Sequence, residues 1–256
     1  MNRLLRQLCR LSAGLVFAGS ASLAAAQGNV PATYNVGATA TGVPFTFLDV
    51  KTNSIRGMMV DTVTAIGKAG GFNVSVQQTV FSALIPSLTA RKIDIISAAM
   101  LKTAARQEVV DFSDPVYSYG EGLLVKADDT RAYVSLDELK GEVVGAQVGT
   151  VFLDMLMKRG TFKEVRSYDS VADMTRDLSL GRIKAALGDQ PIMAYQIRQN
   201  TFSGVKLVDS YKPVNVGDVC LVVRKGDTET LARLNKAIAA VKADGTLAKI
   251  VQMWGI

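Results

Sequence analysis

The stretch at residues 73–96, NVSVQQTVFSALIPSLTARKIDII, decides the fold class because a strand pattern, a helix pattern and a second strand pattern follow one another. Residues 73–77 and 93–96 are short and β-rich, whereas residues 81–90 carry apolar side chains at the i, i+3, i+4 spacing of a helix face. Two strands joined by a helix form the repeating unit of α/β proteins. The stretch therefore predicts an α/β fold with right-handed crossovers.

The same alternation continues along the chain. Near-continuous apolar positions predict strands that are buried on both faces, and glycines at 70–71, 160 and 181 predict helix ends. The further predicted strands are residues 34–38, 143–147, 164–167, 183–187 and 205–208, and the further predicted helices are residues 60–68, 151–158, 171–180 and 192–198.

Two apolar, strand-like segments, residues 121–127 and 217–224, break this alternation, and each ends in a charged turn. We expect them to form a two-strand hinge between two lobes, each a sheet flanked by helices. Lobe 1 is predicted to contain residues 27–124 and 221–256, and lobe 2 residues 125–220. Residues 228–254 read as two helices that pack back on lobe 1. Such lobes enclose a cleft that captures a ligand by closing.

The N-terminal residues have the pattern of a secretory signal. Residues 1–10 are cationic, residues 11–23 are apolar and residues 24–26 are alanines. We expect a signal peptide at residues 1–26 and a soluble, exported protein, with a membrane anchor as the alternative. Residues 27–256 then carry 26 basic and 23 acidic side chains, a net charge of +3.

Composition excludes several kinds of chemistry. The chain has no His and two Cys, of which Cys220 is the one outside the predicted signal peptide. A Ser-His-Asp triad, a usual zinc site and an intramolecular disulfide of the exported chain are therefore impossible. We predict no catalytic residue, no metal and no cofactor. The basic residues are scattered, which argues against nucleic-acid binding.

Three stretches carry a family resemblance that covers about residues 34–254. They are residues 81–94 (FSALIPSLTARKID), residues 103–106 (TAAR) with 110–117 (VDFSDPVY), and the tail LNKAI…KADGT…I…W between Leu234 and Trp254. Together they resemble the family 3 solute-binding proteins of ABC transporters, the periplasmic receptors for polar amino acids. The resemblance implies the two-lobed, type II periplasmic-binding-protein fold.

The resemblance also implies a set of ligand-binding residues. It places Arg106 on the ligand carboxylate, Asp189 on the α-ammonium and Phe81 on one wall of the side-chain pocket. It gives Gly149 and Thr150 the role of further donors to the carboxylate. The residues themselves leave other roles open: a surface ion pair for Arg106, a helix cap for Asp189 and Thr150, and core packing for Phe81. Thr39, Phe45, Ala99 and Leu101 complete the predicted site.

Some positions depart from the family pattern. Gly42 stands where many members have a stacking Tyr, Thr39 replaces a common acid, and Leu101 replaces a small hydroxyl residue. These changes leave carboxylate recognition intact and make an arginine- or lysine-like ligand less expected. A modified or less polar amino acid, an opine or another small carboxylate remains open. Lys102 is either a solvated side chain or a partner for a second acidic group.

We therefore expect a binding protein that captures an amino acid or related small carboxylate and delivers it to an ABC permease in the inner membrane. We expect it to be a monomer and not an enzyme. One alternative is a periplasmic enzyme that resembles cyclohexadienyl dehydratases, which would need Glu121 or another acid buried in the cleft with a raised pKa. A ligand-binding sensor module is the other alternative.

Overall fold

A computed structural model of the chain describes residues 31–256. The predicted signal peptide at residues 1–26 lies outside the described residues. Twelve strands and eight α-helices are found between Pro31 and Ile256, together with two short 3₁₀ helices at Phe81–Ala83 and Leu136–Leu139.

The elements follow one another in this order along the chain. The strands are β1 (Thr33–Ala38), β2 (Thr41–Gly42), β3 (Thr46–Asp49), β4 (Ser54–Arg56), β5 (Asn73–Gln78), β6 (Ile95–Ile96), β7 (Val110–Lys126), β8 (Val143–Gln147), β9 (Glu164–Tyr168), β10 (Ala185–Asp189), β11 (Val205–Leu207) and β12 (Val216–Arg224). The helices are α1 (Met58–Gly70), α2 (Leu84–Thr89), α3 (Ala104–Gln107), α4 (Val151–Arg159), α5 (Val171–Ser179), α6 (Gln190–Arg198), α7 (Thr228–Ala243) and α8 (Thr246–Trp254).

Nine strands form one sheet: eight follow one another in the order β5-β1-β6-β12-β7-β10-β8-β9, and the ninth, β11, pairs with β7. The 17-residue strand β7 changes partner along its length. Its residues up to Gly120 pair with β12, and its residues from Glu121 onward pair with β10 and β11. We call the strands on the β12 side, with residues 110–120, the first half of the sheet. The strands on the β10 side, with residues 121–126, form the second half.

The pairing within each half is mixed. Strand β1 is parallel to β5 and β6, and β8 is parallel to β9 and β10, as crossover helices require. Strand β7 is antiparallel to β12, β10 and β11. Strand β12 pairs within the first half, and the chain returns from β11 to β12 through residues 208–215, which form no strand.

The predicted alternation of strands and helices is confirmed, with shifts of a few residues at the ends. Glycines end the helices as expected: Gly71 and Gly160 take left-handed backbone conformations directly after α1 and α4. The tail forms α7 and α8, separated at residues 244–245. The prediction that all the strands are buried is wrong for β5 and β9, because both are edge strands whose residues are exposed or half-buried.

The small sheet β2-β3-β4 was not expected from the sequence. It packs against the C-terminal helix through Phe47, whose ring meets the Trp254 ring edge-on at 5.8 Å. Trp254 in turn donates a 2.8 Å hydrogen bond from its indole nitrogen to Asp61 of α1. Helix α8 therefore supports this small sheet, which forms one wall of the site described next. No helix among residues 31–256 has the length and apolar character needed to span a bilayer.

Candidate functional site

A small cavity lies between the two halves of the sheet. Its volume is about 20 Å³, roughly enough for one water molecule. An amino acid is larger than this, so its entry requires the walls to move. The lining contains five residues predicted for the site, namely Thr39, Phe45, Phe81, Ala99 and Asp189, together with Thr41, Gly42, Thr46, Ala98, Gln147 and Ile192.

Arg106 lies beside this cavity and joins the two halves of the sheet. Its guanidinium donates from Nη1 to the Leu101 carbonyl at 2.6 Å and from Nη2 to the Gly149 carbonyl at 3.0 Å. Leu101 precedes β7 on the first-half side, whereas Gly149 follows β8 of the second half. The guanidinium carbon also lies 5.8 Å from the centre of the Phe81 ring, within the range of a cation–π contact. Leu101 thus contributes its backbone oxygen to the site.

The short helix α3 fixes the backbone of Arg106. Thr103 caps it, since its hydroxyl accepts a 3.2 Å hydrogen bond from the Arg106 amide. The alternative of a surface ion pair with Glu108 or Asp111 is wrong: among the described residues Arg106 pairs with neither acid, and Asp111 instead pairs with Lys225 at 3.0 Å and accepts from the Gly226 amide. The guanidinium therefore points to the space between the halves.

Asp189 ends β10 and faces the first half of the sheet. Its carboxylate accepts a hydrogen bond from the Tyr119 hydroxyl, and that hydroxyl also lies 3.0 Å from the Ala99 carbonyl. The alternative of a helix cap is wrong, because the Asp189 side chain makes no capping hydrogen bond to α6. Its carboxylate is left to face the cavity.

Ala99 has a left-handed backbone conformation, with φ at 53°. A residue with a Cβ rarely adopts this conformation, and such residues concentrate at functional sites. The conformation lets the Ala99 carbonyl meet the Tyr119 hydroxyl at the cavity. Phe45 holds the other side of Tyr119, with the two rings stacked at 5.7 Å between centroids.

Gly149 and Thr150 begin helix α4, as predicted. The Thr150 hydroxyl donates to the Gln147 carbonyl at 2.7 Å and accepts from the Leu153 amide at 3.3 Å, so it caps α4. Gly149 has φ at 78°, and a Cβ placed on it would lie 3.0 Å from the Cα of Ser82. Glycine is therefore required here both by the positive φ and by the close approach of the first-half residue Ser82.

A pair of hydroxyls forms another part of the cavity lining. Thr39 and Thr46 are both buried, and their Oγ1 atoms lie 2.7 Å apart. Gly42 lies next to them, and a Cβ on it would meet the Thr39 hydroxyl at 3.4 Å and the Cδ1 of Ile192 at 3.6 Å, which are ordinary contacts. Lys102 is exposed and does not line the cavity.

Burial changes the ionisation of the charged groups. Desolvation raises the pKa of Asp189 above its ordinary value, while the Tyr119 hydrogen bond and the charge of Arg106 act in the opposite direction. Desolvation lowers the pKa of Arg106, although a guanidinium stays protonated at neutral pH. The pKa of Tyr119 is raised well above its ordinary value by burial and by the neighbouring Asp189. The site thus combines one fixed cation with one acid.

Glu121 is buried but has a structural role. It accepts hydrogen bonds from the Tyr211 hydroxyl at 3.0 Å, the Val214 amide at 2.6 Å and the Asn215 amide at 2.9 Å. These bonds attach the returning segment, residues 208–215, to β7 at the point where the strand changes partner. Glu121 does not line the cavity.

Tyr119, Gln147 and Ile192 are site residues that sequence reasoning missed. Tyr119 follows the motif VDFSDPVY by two residues, so its place in the motif was the available signal. Gln147 ends β8, and its amide nitrogen donates to the Asp169 carbonyl at 2.9 Å, which leaves its carbonyl end available at the cavity. Ile192 lies in α6 and gave no signal beyond helical apolar spacing. No group of three or more His, Cys, Asp or Glu in the described part of the chain is arranged to hold a metal ion.

The structure thus places a cavity between the two halves of the sheet, with the carboxylate of Asp189 in its wall and the guanidinium of Arg106 beside it. Residues 34–256 match the family of bacterial extracellular solute-binding proteins, family 3. The chain belongs to this family, which confirms the resemblance found in the sequence.

Individual relatives agree with this assignment. The chain is 32% identical over 248 residues to the putative ABC transporter arginine-binding protein 2 of Escherichia coli strain K12, with 95% of this chain and 97% of that protein covered. An ancestral arginine-binding protein solved with arginine is 33% identical and superimposes with a TM-score of 0.80. The match covers 88% of this chain and 99% of that chain. The ancestral amino acid-binding protein AncCDT-1, a precursor of cyclohexadienyl dehydratase, is 30% identical and superimposes with a TM-score of 0.77. This match covers 87% of this chain and 95% of that chain. These structures confirm the predicted α/β fold of the two-lobed periplasmic binding proteins.

Proposed function

We propose that the protein is the periplasmic solute-binding component of an ABC importer and that it captures a small zwitterionic amino acid. One observation carries this proposal: Arg106 and Asp189 approach one cavity from opposite halves of the sheet. A guanidinium fork binds a carboxylate through two charge-assisted hydrogen bonds, and a carboxylate accepts from an ammonium. The two groups together match the two charged ends of an amino acid.

Closure of the two lobes follows from this arrangement. We propose that lobe 1 contains residues 27–124 and 221–256 and that lobe 2 contains residues 125–220. Strand β7 changes its pairing partner between Gly120 and Glu121, which supports a passage of the chain from lobe 1 to lobe 2 near residue 124. A ligand that contacts both lobes binds the closed state more tightly than the open state, so it shifts the equilibrium toward closure. The existing bond from Arg106 to the Gly149 carbonyl supports a closed state of this kind.

The proposal includes export by the signal peptide at residues 1–26, action as a monomer and delivery of the ligand to a permease in the inner membrane. The family match and the names of the relatives support the transporter assignment. The proposal also takes the protein to be a receptor without catalysis.

A melting-temperature panel tests the proposed ligand class. A ligand that binds only the folded protein raises its melting temperature. We expect at least one of the standard L-amino acids to do so, and we expect its N-acetyl and its carboxamide derivatives to have no effect. No shift across the amino acids, opines and small carboxylates, or equal shifts for the blocked derivatives, would show that the two charged groups are not the ligand contacts.

A dehydratase-like enzyme is the second candidate. Asp189 is an acid in the cavity wall, and burial raises its pKa. The similar protein AncCDT-1 is described as a precursor of cyclohexadienyl dehydratase. A raised pKa is what a general acid requires. Incubation of the stabilising ligands with the protein, followed by mass spectrometry, separates the two functions. A receptor returns each ligand unchanged, whereas an elimination would yield a product of lower mass whose formation depends on Asp189.

A further inference from the structure

We infer that the site selects an amino acid whose side chain is uncharged and carries a hydrogen-bonding oxygen, and that it rejects arginine and lysine. This inference rests on the proposed function and names the substrate class of the same site. It separates this chain from relatives whose names assign them arginine.

The charges around the cavity argue against a cationic ligand side chain. Among the residues that line it, Asp189 is the one with a charged side chain, and Arg106 lies beside it. If Arg106 takes the carboxylate and Asp189 the α-ammonium, a cationic side chain would find no third charge as its partner. Burying an unpaired cation is strongly unfavourable. Asp154, an acid of the neighbouring helix α4, is exposed and does not line the cavity.

The pair of hydroxyls of Thr39 and Thr46 favours a ligand side chain that carries an oxygen. Thr39 and Thr46 lie 2.7 Å apart, and either can donate to the other. Since only one of their two hydroxyl protons is used in that bond, the second proton is available to an oxygen of the ligand side chain. Both threonines are buried, so an oxygen there meets a donor that is shielded from water, where a hydrogen bond is stronger than in bulk solvent.

The remaining walls set the size and polarity of the side chain. Ile192 and Phe45 are apolar and buried, and Gln147 is neutral. Gly42 has ordinary spacing to Thr39 and Ile192 for an added Cβ, so its lack of a side chain leaves space rather than relieving a clash. Side chains with a hydroxyl or an amide fit these walls: serine, threonine, asparagine and glutamine.

Isothermal titration calorimetry with five L-amino acids tests the inference. The probes are glutamine, asparagine, serine, arginine and norvaline, which is neutral but has no side-chain oxygen. We expect the tightest of the first three to bind at least tenfold more tightly than arginine. Equal or tighter binding of arginine would overturn the inference and leave the proposed function standing, provided that the binding requires Arg106. If none of the probes and no other amino acid binds, the proposed function itself fails.

Thr39→Val tests the hydroxyl pair directly. Loss of one neutral hydrogen bond weakens binding about three- to tenfold. We expect that loss for the tightest oxygen-bearing ligand and no change for norvaline, whereas a general packing defect would weaken both. Thr39→Ser should restore the affinity, and Thr64→Val, on an exposed face of α1, should leave it unchanged. Equal losses for both ligands, or no loss for either, would overturn the role of Thr39.

Discussion

Replacing Arg106 by alanine is the most informative perturbation of the proposed site. In the structure the guanidinium donates to two carbonyls, of Leu101 at 2.6 Å and of Gly149 at 3.0 Å. We expect an amino acid to take over one or both of these donors with its carboxylate. The substitution would then leave that carboxylate in the closed site without its cation.

The magnitude follows from this exchange of partners. Removing one partner of a buried charge pair costs about 3–5 kcal/mol. The arginine must give up existing hydrogen bonds when the ligand enters, so we expect the loss to fall at the lower end, at about 3 kcal/mol. Each 1.4 kcal/mol is a factor of ten in the dissociation constant, so the affinity should fall about 150-fold. Arg106→Lys keeps the charge but loses the fork, and we expect a loss of about tenfold for it.

Titration calorimetry measures these losses, and thermal unfolding without ligand provides the control for folding. Arg106 is half-buried and makes two hydrogen bonds, so the ligand-free variant should lose only about 1–2 kcal/mol of unfolding free energy. Lys102→Ala is the matched control, because it removes an exposed cation four residues earlier, and it should bind normally. A dissociation constant for Arg106→Ala within threefold of the unmodified protein would refute the assignment of this residue.

Three further predictions concern pH and a contact outside the cavity. Ligand affinity should fall as the pH is lowered through the raised pKa of Asp189, because the protonated carboxyl cannot pair with an ammonium, and Asp189→Asn should flatten this dependence in calorimetry at a series of pH values. Burial would raise the pKa of Asp129, but its hydrogen bonds, above all from Lys184, hold that pKa at about 2 against an ordinary 3.8. Because the pKa is lower in the folded state, the carboxylate adds roughly 2 kcal/mol to the free energy of unfolding above about pH 4, and this contribution is lost as the pH falls toward 2. Denaturant titrations at a series of pH values should therefore show that acid destabilises Asp129→Asn less than it destabilises the unmodified protein. Arg198 of α6 donates to the Gly255 carbonyl at 3.0 Å and so joins α6 to the end of α8. Because this contact lies outside the cavity, Arg198→Ala should weaken the binding of every ligand by the same factor and leave the order of their affinities unchanged in calorimetry.

The sequence predicted the elements whose patterns are long enough to show a period. Helices of nine residues or more, such as α4 and α5, display apolar spacing and glycine ends, and the structure contains them where they were expected. Strands β2 and β4 have two and three residues, which is too short for any alternation to be recognised.

The first part of β7 could not be predicted for a different reason. Residues 110–120 contain Pro115 and two aspartates, Asp111 and Asp114, which are unfavourable in a strand. The structure accommodates the proline because the register with β12 shifts around Cys220, which lies opposite Pro115. Such an irregularity is a property of the paired strands and is invisible in either segment alone.

The candidate site shows the same limit. Arg106 and Asp189 were proposed because they match family motifs at fixed places in the chain. Tyr119 acts through neighbours that lie 20 and 70 residues away, Ala99 and Asp189, and only the folded β7 brings these three together. The hydroxyl contact between Thr39 and Thr46 likewise needs the turn between β2 and β3, which the sequence did not reveal.

A crystal structure of the protein grown with the amino acid that raises its melting temperature most would test the central claim most directly. We expect the ligand carboxylate within hydrogen-bonding distance of the Arg106 guanidinium and the ammonium within the same distance of Asp189, with both halves of the sheet in contact with the ligand. A ligand found elsewhere, for example in the larger cavity of about 470 Å³ lined by Glu121, Tyr211 and Pro213, with no contact to either charged residue, would contradict it.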